Sequence, residues 1–214
     1  MKTALIAGAS GLTGSYLLNH LLNNNTYDRV KALVRKPLDM EHPNLQQIVF
    51  DFDLPDPGVI KADHVYCTLG TTIKKAGSKE AFRQVDYEYP LQIAKTAYGN
   101  GAEKYAVVSA MGANPNSMFF YNRVKGQMEE SLKEIPFESI YIARPSMLLG
   151  PRNEYRLGEE LGKKLMSFLR FILPANMKAV HASKVASCLA YKMNRDEKGI
   201  HIIPSGEIQN FSKL

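Results

Sequence analysis

Cysteine is scarce in this chain of 214 residues, tryptophan is missing, and no apolar run approaches the length needed to span a membrane. The two cysteines, Cys67 and Cys188, lie far apart and lack metal-ligand spacing. That argues against a disulfide scaffold and a zinc site, so the pair reads as reduced thiols in a cytoplasmic protein. The opening MKTALIAGASG has one lysine and an apolar segment too short for a secretory signal, and it runs straight into a glycine turn. No membrane association is expected. Nucleic-acid motifs are lacking too. The formal net charge is +6, yet Lys and Arg are spread along the chain, with small groups only at Lys74 and Lys75 and at Lys163 and Lys164. Such a spread suits an anionic small molecule better than a nucleic acid. The carboxylates Asp51, Asp53 and Asp56 stand in DFDLPD, too irregular a segment for a calcium loop, and no metal is expected.

What the chain does have is alternation. Apolar, strand-like runs fall at 3–7, 30–34, 47–51, 64–67, 104–109, 138–143 and 199–204, several of them continuous, as in YAVVS and SIYIA. Strands buried on both faces read this way, and helices must then cover both faces. Helical patterns fall between them at 12–24, 79–98, 118–133, 157–169 and 183–193. Pro90 interrupts the second of these and marks a kink or a restart. With 45% hydrophobic residues the chain can bury a sizeable core. The expectation is one α/β domain over residues 1–214, a Rossmann-type doubly wound parallel sheet with a small C-terminal substrate lobe drawn mainly from 144–182.

The turn from the first strand into the first helix reads GASGLTG, with glycines at 8, 11 and 14. A glycine-rich turn lets backbone N–H groups approach a pyrophosphate, and the helix N-terminus adds partial positive charge. Gly8 fits the tight turn, Gly11 the close phosphate approach and Gly14 close helix–strand packing, with Ala9, Ser10, Leu12 and Thr13 completing the cradle. The second strand then ends in Arg35 and Lys36 rather than an acidic residue. A carboxylate there would bond a ribose 2′-hydroxyl, whereas a guanidinium suits a 2′-phosphate. NADP(H) is therefore expected in preference to NAD(H). Asp51 with Phe52, after the third strand, fits the adenine amine; Asp53 and Asp56 read as turn formers beside Pro55 and Pro57.

Tyr121 and Lys125 form Y-x-x-x-K, which puts both side chains on one helix face. A phenol holds its proton too tightly to act readily as a base, and a neighbouring ammonium brings it into range as a general acid/base. Ser109, twelve residues earlier at a strand end, is placed to hydrogen-bond a reacting carbonyl. A second Y-x-x-x-K, Tyr27 and Lys31, straddles a strand entry with no upstream serine, so the spacing alone proves nothing.

GASGLTG, CTLGTT, VVSAMGAN, YNRVK and IARPSMLLGPR together resemble the short-chain dehydrogenase/reductase superfamily in its atypical branch, and within it the Tat-interacting-protein-like NAD(P)-binding group. The resemblance implies a Rossmann fold binding NADP(H). It implies catalytic Ser109 orienting a carbonyl, Tyr121 exchanging its proton, and Lys125 holding the nicotinamide ribose. It also implies that Leu69, Gly70, Thr71 and Thr72 line the cofactor and that Pro145, Ser146 and Met147 lie near the nicotinamide. Two departures stand out: the helix asparagine that completes a proton relay in many members has no clear equivalent, and Ala110 stands where many relatives carry a second serine. His181 reads as a capping or packing residue, Arg144 as half of a structural ion pair, and the apolar residues of KLMSFLRFILP as a helix stripe on the core. Two functions follow. One is an oxidoreductase acting on the carbonyl of an unidentified small molecule, or an epimerase-like relative. The other is an NADPH-binding regulatory module that contacts a protein partner without turnover.

Overall fold

The structure, a computed structural model, describes residues 1–151 and 178–212. The expected helix at 157–169, the KLMSFLRFILP stripe and most of the expected lobe lie outside the described residues. Among the described residues, seven strands form one parallel sheet in the order β3-β2-β1-β4-β5-β6-β9. They are β1 (Thr3–Ala7), β2 (Arg29–Val34), β3 (Leu45–Val49), β4 (His64–Cys67), β5 (Lys104–Val108), β6 (Ser139–Arg144) and β9 (Gly199–Pro204). Two short strands, β7 (Leu148–Leu149) and β8 (Val180–His181), pair separately. The chain runs outward from β1 through β2 to β3, then returns to place β4 on the other side of β1. The order reverses between β1 and β4, and open α/β sheets bind ligands at the carboxyl ends of the strands at such a point.

Helices cover both faces because the central strands are apolar in both directions. On one side α1 (Leu12–Leu22) and α6 (Ala182–Met193) bury Leu17, Leu18, Leu21, Val185 and Leu189 against Ala4, Ile6, Val30 and Ala32. On the other, α4 (Tyr89–Gly99) and α5 (Phe120–Lys133) bury Ile93, Ala97, Met128 and Leu132 against Leu5, Leu33, Val65 and Val107. The short helices α2 (Ile73–Ala76), α3 (Lys79–Arg83) and α7 (Ser205–Asn210) complete the layers. The expected doubly wound sheet is thus the fold observed.

Two local readings differ. The third strand ends at Val49 rather than at 51, because the Asp51 carboxylate turns back to accept the Asp53 amide (2.9 Å) and bends the chain out of the sheet. Asp53 is also more than a turn former: its Oδ1 accepts from Tyr89 Oη (2.5 Å) and Gln84 Nε2 (2.7 Å), tying this loop to the next helix. Asp56 does form a turn, accepting the Gly58 amide at 2.8 Å. The helix around Pro90 neither breaks nor restarts. Residues Gln84–Glu88 make a π-helical turn between α3 and α4, with the Tyr89 amide donating to the Gln84 carbonyl. Pro90 has no N–H for the carbonyl four residues back, and widening the preceding turn absorbs the lost bond.

The glycine turn closes the sheet's switch point. Gly8 has φ +90°, and a Cβ there would lie 2.8 Å from Thr68. Gly14 is tighter still, because an added Cβ would sit 2.0 Å from the Gly8 carbonyl oxygen. The first turn of α1 thus rests directly on the end of β1. A methyl group at 14 must push these two backbones apart, so Gly14→Ala should destabilise the protein by about 3 kcal/mol or more. At Gly11 a Cβ would meet only the Gly8 oxygen at 3.2 Å, and Gly11→Ala should stay within about 1 kcal/mol. Urea unfolding of the two variants measures the contrast, and equal losses would refute the packing account.

Candidate cofactor and active site

The N-terminus of α1 opens onto the switch point with its amides free of side-chain caps. Gly11 occupies the cap position in extended conformation, no side chain bonds the helix end, and the first turn carries no acidic residue. Thr13 Oγ1 is buried without a hydrogen-bond partner among the described residues. Uncapped amides, the helix dipole, an open face at Gly11 and an orphaned hydroxyl fit a pyrophosphate. Ala9 is buried in support, while Ser10 and Leu12 stand at the rim. Arg35 and Lys36 are both exposed just beyond the end of β2, the strand beside β1.

On the far side the Phe52 ring is buried, packed on Phe50 (centroids 4.9 Å apart) and Tyr89 (5.4 Å). That ring belongs to the core, so of the expected adenine pair Asp51 is the exposed member. The loop after β4 is held from both ends. Thr68 Oγ1 lies 3.0 Å from the Ala7 carbonyl and 3.1 Å from that of Gly8. The Thr71 amide donates to Asp86 Oδ2 (2.8 Å), and Thr72 Oγ1 caps α2 by accepting the Lys75 amide. Leu69 is half-buried and Gly70 exposed between these anchors.

Tyr121 is the second residue of α5. Its ring leans on Phe82 (5.6 Å), it is 38% exposed, and its hydroxyl makes no hydrogen bond among the described residues. Lys125, one turn on, is buried. Its ammonium donates to Asp86 Oδ1 at 2.8 Å and to the Val108 carbonyl at 3.3 Å. Burial alone would push the Lys125 pKa down. The Asp86 carboxylate outweighs it, with a smaller contribution from Tyr121, and holds the pKa above the usual lysine value. Asp86 projects from the widened π turn and is 1% exposed.

Ser109 is drawn elsewhere. Its hydroxyl donates to Glu129 Oε1, a carboxylate with no exposure, which also accepts from Arg144 Nε at 3.1 Å and Arg144 Nη2 at 2.5 Å. Ser109 therefore stands in a buried Ser–Glu–Arg cluster, and no hydrogen bond joins it to Tyr121. The reading of Arg144 as a structural ion-pair partner holds. The reading of Ser109 did not foresee these partners, and the sequence pattern assigned Asp86 no role. One signal was present: Tyr121, Lys125 and Glu129 repeat at four-residue steps, which carries the inward charge on to 129 and demands a cation.

Beyond β6, the Pro145 carbonyl accepts the Met111 amide at 3.0 Å, and Met147 is 53% exposed. Ser146 is engaged on both sides, its hydroxyl donating to the Lys178 carbonyl and accepting from Ser205. His181 sits at the head of α6, exposed, and makes no side-chain cap. The second Y-x-x-x-K is structural: Tyr27 is buried at the amino ends of the strands, its hydroxyl 2.7 Å from both His64 Nδ1 and Tyr66 Oη. Among the described residues no cluster of His, Cys, Asp and Glu could hold a metal ion, and no helix is long and apolar enough to cross a membrane.

A family described as NAD(P)H-binding matches residues 8–169, so the chain belongs to that family, as an atypical member of the short-chain dehydrogenase/reductase superfamily. Among individual proteins it is similar to Protein HTATIP2 of Rattus norvegicus, 37% identical over 174 residues that span 78% of this chain and 72% of that one. It is also similar to Protein FMP52, mitochondrial, of Eremothecium gossypii, 32% identical over 92% of this chain and 84% of that one. The FMP52 proteins are named mitochondrial, and that overturns the expectation of a cytoplasmic protein. The fold matches MoeE5 in complex with UDP-glucuronic acid and NAD (TM-score 0.75, 17% identity, 94% of this chain and 75% of that one). It also matches a UDP-N-acetylglucosamine 4-epimerase from Methanobrevibacter ruminantium M1 (TM-score 0.72, 17% identity, 95% and 76%).

The buried cluster yields a test. Arg144→Met leaves Glu129 without a cation and should cost about 3–5 kcal/mol. Arg144→Met with Glu129→Gln, which removes the stranded charge, should recover most of that loss in urea unfolding. Failure of the double variant to recover would mean that Arg144 acts by packing alone.

Proposed function

We propose that the chain binds NADPH in preference to NADH and reduces the carbonyl of a small molecule, with Tyr121 as proton donor. The observation that carries this reading is the placement of Tyr121: a half-exposed phenol whose hydroxyl has no hydrogen bond among the described residues, one helical turn from a fixed ammonium, at the carboxyl edge of the sheet. The pyrophosphate would lie on the uncapped first-turn amides of α1 at Leu12 and Thr13, and Arg35 and Lys36 would hold the 2′-phosphate. Leu69 to Thr72 and Pro145 to Met147 would flank the nicotinamide. When bound, the reduced nicotinamide supplies a hydride. Tyr121 then gives its proton to the carbonyl oxygen and regains one from water. Ser109 enters as a support of the β5 end, with its hydroxyl hydrogen on Glu129.

That same bond favours a second reading, in which an NADPH-binding module contacts a protein partner without turnover, because the carbonyl-orienting hydroxyl is committed elsewhere. The two readings separate on one variant. Tyr121→Phe keeps the ring against Phe82 and should leave cofactor affinity unchanged while carbonyl reduction falls at least ~10²-fold. If a broad carbonyl panel gives no NADPH oxidation with the unaltered protein, and a partner binds only the NADPH-loaded form, the module reading stands.

Cofactor choice is read directly, since the absence of tryptophan leaves nicotinamide fluorescence free of indole emission. Arg35→Ala with Lys36→Ala should weaken NADPH binding by about 1–3 kcal/mol, the scale of charge-assisted hydrogen bonds, and spare NADH. Equal losses for both cofactors would sink the assignment.

A further inference from the structure

We propose that Asp86 sets the working charge of this site: by closing an ion pair with Lys125 it keeps Tyr121 in the protonated form that carbonyl reduction uses. The inference rests on the reading of Tyr121 given above and goes beyond it, since nothing in the sequence pattern assigned Asp86 a role.

The geometry is a donor count. A lysine ammonium has three N–H donors. One goes to Asp86 Oδ1 (2.8 Å) and a second to the Val108 carbonyl (3.3 Å), leaving one for a ribose hydroxyl or the Tyr121 oxygen. The pair is sealed from water, with side-chain exposures of 4% for Lys125 and 1% for Asp86. A lone buried ammonium would draw the phenol toward its anion. Here a full negative charge stands within hydrogen-bond distance of that ammonium and offsets most of its pull. The other groups around the ammonium do not change the balance. β4 contributes only the Cys67 thiol, whose pKa burial pushes up, and β5 contributes the neutral Val108 carbonyl. Near Tyr121 itself, α3 presents the apolar Phe82 ring, while Lys79 and Arg123 lie over the neighbouring Phe120 ring.

Asp86 also fixes where the ammonium stands. Its second oxygen accepts the Thr71 amide at 2.8 Å, so one carboxylate ties Lys125 to the loop after β4. It reaches both because the π turn swings it off the regular helix path. Asp86 is thus a positioning residue, acting through Lys125.

The test is the ionisation of Tyr121 in the full-length protein, with and without NADPH and without any carbonyl. The tyrosinate absorbance of Tyr121 is isolated from the other ten tyrosines as the difference between each variant and the same variant carrying Tyr121→Phe. Asp86→Asn removes the charge and keeps one acceptor oxygen, while its amide nitrogen, a donor only, replaces the other. Ionisation of Tyr121 should then move to lower pH by about one unit or more, the scale for an uncompensated charge at close range. Asp86→Glu should restore the unaltered titration, and adding Lys125→Met to Asp86→Asn should cancel the shift. An unmoved titration in folded Asp86→Asn, or a shift that persists without Lys125, overturns the proposal. Should Asp86→Asn fail to fold, the comparison of Lys125→Met with Asp86→Glu/Lys125→Met decides instead. Closed pairing predicts that loss of the ammonium moves Tyr121 upward in both, and no movement refutes it. A shifted titration combined with a carbonyl panel that yields no turnover would leave the charge assignment standing and remove only the reductase reading.

Discussion

The contact on which the rest of the structure depends is the meeting of Gly14 with the carbonyl of Gly8. A side chain at 14 would drive α1 away from β1 by collision with the Gly8 oxygen at 2.0 Å, and one at 8 would drive the turn off Thr68 at 2.8 Å. Because nothing intervenes, the first turn of the helix ends directly over the switch point, and Thr68 reaches the two carbonyls that close the turn. The consequence is directional. The amides of α1 converge on one spot at the carboxyl edge, and helix dipole, open face and strand reversal coincide there.

The second constraint is electrostatic and fixes α5. Its inward stripe carries a cation at Lys125 and an anion at Glu129, both buried, and each needs an opposite charge from another element. The π turn supplies Asp86 and the end of β6 supplies Arg144. Two ion pairs one helical turn apart, with partners on opposite flanks, pin the rotation of the helix about its axis. A turned helix would strand two charges at once. Tyr121, one turn above Lys125, takes its orientation from this lock. Its position is set by the sheet and the π turn together, without a hydrogen bond of its own among the described residues.

What could be read from the sequence was whatever depends on neighbours in the chain. Buried strands announce themselves as apolar runs, so β1, β4 and β9 fall on the residues expected, and the roles of Gly8 and Gly14 follow from the strand–turn–helix sequence alone. Pairings between distant segments were hidden. Asp86 looked like one acidic residue in a helix, and only the π turn that Pro90 provokes brings it to Lys125 across thirty-nine residues of chain. Ser109 was read by analogy with relatives that use such a serine. Which way it points is decided by Glu129, twenty residues on. The packing of the Phe52 ring was hidden for a similar reason, since its aromatic partners at Phe50 and Tyr89 appear in no local pattern.

The two Y-x-x-x-K pairs show why position in the fold decides chemistry. Tyr27 lies at the amino ends of the strands, inside a cluster of neutral groups. Burial, with Lys2 and Lys104 nearby, holds the His64 pKa down to about 3, so its ring stays uncharged beside the Tyr27 and Tyr66 hydroxyls. Lys31 sits in a strand and reaches out to the Lys61 carbonyl, giving that tyrosine nothing. At the amino edge no helix N-terminus points inward in a βαβ arrangement, because each crossover helix begins at the carboxyl edge and returns. Tyr121 has the same spacing to its lysine, but it opens a helix at the edge where those N-termini gather. There the phenol meets a fixed ammonium, a buried carboxylate and an open cradle for an anion, while its counterpart is a core residue with a satisfied hydroxyl.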